Sequence, residues 1–199
     1  MNKKRIGVFG GTFNPPHIGH VAAAKAFIKS AELDKLIIMP AFIPPHKEYT
    51  SSVSCEDRFQ MCKLAFSEIE NAEVSDLEIS RGGKSYTYLT LQELSNSEYD
   101  LYFLCGTDMI LTLGAWKNPD IIFELANICY IRREDDPEIS IEIEKRCKEY
   151  KEKYAAKIQP IVSEVIDISS SEVRNGEVSL KSYLSPSVLE YINKTGLYK

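Results

Sequence analysis

Four short runs of this chain are almost entirely apolar: RIGVF at 5–9, LIIM at 36–39, LYFL at 101–104 and ICYI at 128–131. A strand with one wet face alternates polar and apolar residues, whereas a strand with no polar register must be covered on both sides. The stretches between these runs suit helices, at 18–28, 55–69 and 86–94, with a charge-laced helix over 142–157 and a closing helix over 186–193. Val74 begins a further short strand, and EVIDI at 164–168 reads as a late one. Apolar strands separated by helices predict an α/β fold with a doubly wound parallel sheet in a single domain spanning 1–199. Ligands of such sheets collect at the carboxyl ends of the strands, which directs attention to the loops after Phe9, Met39, Leu104 and Ile168.

Composition narrows the function classes. With 44% hydrophobic and 27% charged residues the chain has an ordinary globular make-up. Its 24 Lys and Arg against 29 Asp and Glu leave a net charge of -5, so the molecule as a whole repels nucleic acid, and an anionic ligand needs a local site. Five cysteines, odd in number and never in a C-x-x-C pair, argue against a disulfide framework and a zinc site. No run of about 18 apolar residues occurs to span a membrane, and the opening MNKKRIGVFGG has too short an apolar stretch for a secretory leader. The expectation is a reduced, cytoplasmic protein, a monomer or homodimer, acting on small molecules, with neither nucleic acid nor membrane as partner.

The first strand closes on Gly10 and Gly11, followed by Thr12, Phe13, Asn14, Pro15, Pro16, His17, Ile18, Gly19 and His20. The glycines let backbone approach a ligand, the prolines set the turn, and the helix that follows aims unpaired N–H groups at the same place. His17 and His20, three apart, share one face of the helix start, and Gly19 between them leaves room for a phosphate. Two of only three histidines in the chain fall in this loop. A zinc pair is the competing reading, but no third ligand lies nearby in sequence. Neither a Walker loop nor a G-x-G-x-x-G string is present.

GGTFNPPHIGH resembles the first signature of the nucleotidyltransferase superfamily that carries an H-x-G-H pair, and SSSEVR at 169–174 resembles its second. PPHK at 44–47, DLEISRGGKSYTYLTL at 76–91, GTD at 106–108, Trp116 and the terminal GLY at 196–198 narrow the likeness to bacterial nicotinate-nucleotide adenylyltransferases. Asn14 stands where many relatives have Asp, Ser171 where Thr is common, and Asn175-Gly176 follows Arg174 where relatives continue a helix.

This resemblance implies a Rossmann-like nucleotidyltransferase fold and the joining of ATP and nicotinate mononucleotide, with Mg2+ carried in on the ATP phosphates. It assigns His17, His20, Lys47 and Arg174 to catalysis. It assigns Gly10, Gly11, Thr12, Phe13, Asn14, Gly106, Asp108, Ile168, Ser169 and Ser170 to ATP, with Asp108 accepting from a ribose hydroxyl. Ser85, Tyr86, Thr87, Trp116 and Lys117 fall to the nicotinate nucleotide: Trp116 stacks on the pyridine, while the N–H groups at Thr87 and near Lys117 meet its carboxylate. Plainer roles stand beside these. Lys47 suits a surface lysine, Trp116 a core indole, and Asp108 an N-cap for the helix that follows. Ser169 and Glu172 form a capping box on any reading, and Arg132 and Arg133 are equally a phosphate contact or a solvated pair. A sibling transferase acting on nicotinamide mononucleotide or pantetheine phosphate, and a nucleotide sensor without turnover, are the rival functions.

Overall fold

The structure, a computed structural model, describes residues 3–45, 53–131, 136–162, 168–175 and 180–198. Six strands make one all-parallel sheet: β1 (Lys4–Gly11), β2 (Lys35–Pro40), β3 (Ala72–Val74), β4 (Tyr99–Gly106), β5 (Ala126–Ile131) and β6 (Ile158–Ile161), in the order 3-2-1-4-5-6. The expected burial of both faces is present. In β4, Leu101, Phe103 and Cys105 pack to one side with Ile6, Val8 and Ile128, while Tyr102 and Leu104 pack to the other with Phe27, Leu36 and Cys129.

Helices cover both faces. The second of these layers rests on α1 (Ile18–Ala31), through Ala24 and Phe27, and on α2 (Cys55–Phe66), through Cys62 and Phe66. Around the rest of the sheet run the short α3 (Leu77–Arg81), α4 (Thr87–Leu94), α5 (Thr107–Thr112), α6 (Pro119–Leu125) and α7 (Pro137–Tyr154). The chain closes with α8 (Ser170–Arg174), α9 (Leu180–Tyr183) and α10 (Pro186–Thr195). The strand order reverses between β1 and β4, so the crevice at their carboxyl ends is the switch point at which such sheets bind ligands.

Three expectations from sequence are corrected. The sixth strand is 158–161, a run not read as a strand above, and the late strand expected at 164–168 falls mostly where the structure is not described. Residues 163–167 lie outside the described residues, and Ile168 is not in a strand. As an edge strand β6 fully buries only Ile161, so it lacks the apolar run that marks central strands. Val74 ends β3 and does not begin it. The charge-laced helix starts at Pro137, because Asp136 caps it by accepting from the Glu138 amide at 2.8 Å, and it ends at Tyr154 where Ala155 turns left-handed. That helix is also more than a solvated element: Ile143, Cys147 and Tyr150 form a buried stripe.

Candidate active site

The loop from β1 to α1 is built around Phe13. Its backbone has a positive φ of 48° and its ring is buried, lying where a side chain at Gly11 would need to be: a Cβ there would stand 2.9 Å from the Phe13 ring. Gly11 is thus required by packing as well as by any approach of ligand. His17 is the N-cap of α1 in extended conformation and is only 5% exposed. The His20 ring lies against it, tilted by 34° with centroids 3.8 Å apart, and makes an edge contact with the Phe13 ring at a centroid distance of 5.0 Å. The His17 backbone N–H donates to His20 Nδ1 at 3.2 Å. The space at Gly19, read above as room for phosphate, is filled by the chain itself: a Cβ there would lie 3.1 Å from both His17 Nδ1 and Ile168.

The second motif docks on this loop. Ser169 caps α8 in the expected capping box, its side chain accepting from the Glu172 amide at 3.2 Å and its amide donating to the Glu172 carboxylate at 2.7 Å. Hydrogen bonding to Ser169 holds the Glu172 carboxyl below the usual range. Ser170 Oγ donates to the Pro15 carbonyl at 2.9 Å, and Arg174 donates to the Asn14 carbonyl at 2.6 Å and to Ser171 Oγ at 2.9 Å. Residues about 155 to 160 positions apart therefore share one small surface with both histidines. The carbonyl oxygens of Asn14 and Pro15, which would repel an anion, are each held by a donor.

The second group lies beyond β2 and β4. Ser85 is buried, accepts from the Phe42 amide at 2.9 Å through Oγ, and donates its own amide to the Ile43 carbonyl at 2.9 Å. Tyr86 precedes α4, and Thr87 is its first residue, whose N–H lies outside the helix ladder. Trp116 is half-buried: its ring packs edge-on to Phe103, and Nε1 donates to Thr112 Oγ1 at 3.3 Å. It is thus neither a fully enclosed core indole nor an unsupported one. Lys117 is exposed. The structure corrects the capping role for Asp108, because the N-cap of α5 is Gly106 and Asp108 sits exposed in the first turn. Lys47, Arg132 and Arg133 lie outside the described residues.

Two supporting residues lie in stretches that carried the resemblance but were given no role of their own. Tyr198, near the C-terminus, donates through its hydroxyl to Asn14 Oδ1 at 2.5 Å. Glu78 is a buried carboxylate that accepts from Thr90 Oγ1 at 2.5 Å and from Ser85, with Arg81 bracing Thr90 at 3.1 Å and Glu93 at 2.9 Å. Among the described residues no group of three or more His, Cys, Asp and Glu is gathered as for a metal.

Residues 8–176 match the family model described as cytidylyltransferase-like. A probable nicotinate-nucleotide adenylyltransferase of Clostridium perfringens is 36% identical over 201 residues, covering 98% of each chain. The chain belongs to the nicotinate-nucleotide adenylyltransferase family. Another probable member, from Caldicellulosiruptor saccharolyticus, is 34% identical over 98% of this chain and 99% of its own. Among solved structures, Plasmodium falciparum nicotinic acid mononucleotide adenylyltransferase complexed with NaAD aligns with a TM-score of 0.74 at 21% identity, over 98% of this chain and 97% of that one. At that identity the likeness bears on fold, and it agrees with the Rossmann-like nucleotidyltransferase sheet described above. Both of the family's motifs thus fall in the crevice at the switch point of the sheet.

Proposed function

We infer that the chain transfers the adenylyl group of ATP to nicotinate mononucleotide, giving nicotinate adenine dinucleotide and pyrophosphate, a step in NAD biosynthesis. One observation carries the chemistry: in a chain of this family, two imidazoles with centroids 3.8 Å apart open α1 at the carboxyl end of β1.

The reaction asks little of the protein. The attacking group is a phosphate monoester with a second pKa of about 6, ionised at neutral pH without a general base. What remains is to bring two polyanions together and to stabilise charge on the α-phosphate while pyrophosphate departs. His20 suits this as a neutral donor. Its Nδ1 accepts from the His17 amide, so as a neutral ring it carries its proton on Nε2. In our reading His17 and His20 meet the α-phosphate, supported by backbone at Gly10, Gly11, Thr12, Phe13 and Asn14. The Ser169 hydroxyl and the Ser170 backbone N–H, beside Ile168, meet the outer phosphates, with Arg174 adding the N–H groups not spent on Asn14 and Ser171. Lys47, outside the described residues, is assigned to the triphosphate, and Gly106 and Asp108 to the ribose.

Mg2+ enters with ATP, since it keeps much of its water and binds through substrate phosphates, an arrangement that asks for no dedicated protein cage. On the acceptor side Trp116 stacks on the pyridine. A carboxylate accepts hydrogen bonds and cannot donate, so the Thr87 N–H and a donor near Lys117 favour nicotinate over nicotinamide. Ser85 and Tyr86 shape that pocket.

The test is pyrophosphate release from ATP and Mg2+ with nicotinate mononucleotide, its amide or pantetheine phosphate as acceptor. Preference for nicotinate mononucleotide is expected. Preference for another acceptor assigns a sibling activity, and no turnover with any of them assigns a sensor.

A further inference from the structure

Arg58, on α2, is 0% exposed and among the largest side chains fully enclosed by the fold. Its Nη1 donates to the Thr12 carbonyl at 2.8 Å, and its Nη2 to the carbonyls of Ala41 at 2.6 Å and Phe42 at 3.1 Å. Thr12 begins the loop that carries the histidines. Ala41 and Phe42 begin the loop after β2, and the Phe42 amide and the Ile43 carbonyl are both hydrogen-bonded to Ser85, at the head of the Tyr86-Thr87 segment. One guanidinium therefore joins the proposed ATP loop to the proposed acceptor pocket.

A buried cation is costly unless its donors are used, and a diverging planar fork serves two loops at once in a way that a single ammonium does not. The fork also sets peptide orientation. The Thr12–Phe13 peptide is trans, so its N–H and C=O point to opposite sides. With the Thr12 oxygen held on Arg58, the Phe13 N–H faces away from Arg58. The same holds for the Ile43 N–H beyond the Phe42 carbonyl.

We propose that Arg58 is a positioning residue that holds the two substrate loops in mutual register, so that ATP and the acceptor nucleotide each bind better when the other is present. The inference rests on the adenylyl-transfer reading, with wild-type turnover as its control: a wild-type chain without turnover defeats that reading, whereas the outcomes below concern Arg58 alone.

The experiment compares the full-length wild type with Arg58→Lys and Arg58→Gln, using circular dichroism, thermal midpoint and steady-state kinetics. Both variants are expected to fold, with KM for ATP and KM for nicotinate mononucleotide each raised about tenfold and kcat also lowered, and Lys retaining more activity than Gln. A residue that serves stability alone lowers the midpoint and leaves both KM values at wild type, and that result overturns the proposal. A rise confined to one substrate overturns it too. If neither variant folds, the wild type decides. Saturating nicotinate mononucleotide is expected to tighten the Kd of a non-hydrolysable ATP analogue about fivefold or more, with the reciprocal effect of equal size. Independent binding of the two overturns the coupling.

Discussion

A neutral imidazole has one donor and one acceptor, and a neighbour that takes one nitrogen decides the function of the other. In this chain the His17 amide occupies His20 Nδ1, and the Phe13 edge limits the swing of the ring. In the proposed reaction His20 is thereby held in place before ATP binds, the condition for electrostatic stabilisation without reorganisation. His20→Ala is expected to lower kcat by about a hundredfold or more with the far-ultraviolet spectrum unchanged, since one such donor in a preorganised site is worth that much. A kcat near wild type removes His20 from the mechanism. Trp116 is set differently, supported from behind by Phe103 and tethered at Nε1 by Thr112. Trp116→Ala should raise the KM of the acceptor more than it lowers kcat, the pattern of lost ground-state binding. An unchanged KM returns the indole to a packing role.

At the scale of elements, the joints between loops matter more than the helices they connect. α3 and α4 are short, and what holds them is the buried Glu78, with Thr90 and Ser85 donating to it. Burial raises the Glu78 carboxyl above its ordinary range, although the Thr90 and Ser85 hydrogen bonds and the Arg81 charge pull the other way. A carboxyl whose folded pKa is raised binds its proton more tightly in the native state than in the unfolded one. Its contribution is therefore fully present below the ordinary carboxylate value and is lost as pH rises from there through the raised value. Glu78→Gln removes that titration and keeps an acceptor oxygen. A series of thermal midpoints across this window should fall less with rising pH in the variant than in the wild type, and parallel curves would show that Glu78 titrates normally.

Over the whole molecule, the cysteines report on closure of the sheet. Cys62, Cys105, Cys129 and Cys147 are buried, and burial pushes each thiol up, that of Cys129 to about 11. Thiolate is the reactive form, so a disulfide reagent should modify Cys55 first in the native protein, and the other four only on unfolding. Fast labelling of two or more thiols at neutral pH would mean that the sheet opens locally. No helix among the described residues is long and apolar enough to cross a membrane.

Central strands were legible because a strand covered on both faces has no polar register to confuse it. The Ser169–Glu172 box was legible because both partners lie within one turn. β6 was not, since an edge strand ending in Gln159, Pro160 and Ile161 meets only half of that constraint. Local spacing thus determined the parallel sheet, the histidine loop and, through motif likeness, the family. Only the tertiary structure decided that Arg58 bridges two loops, that Tyr198 reaches Asn14 across 184 positions, and that Gly19 admits an imidazole where a phosphate was expected. Those contacts join side chains far apart in the chain, and which donor finds which carbonyl is set by the packing of whole elements, a quantity no local pattern of residue types encodes.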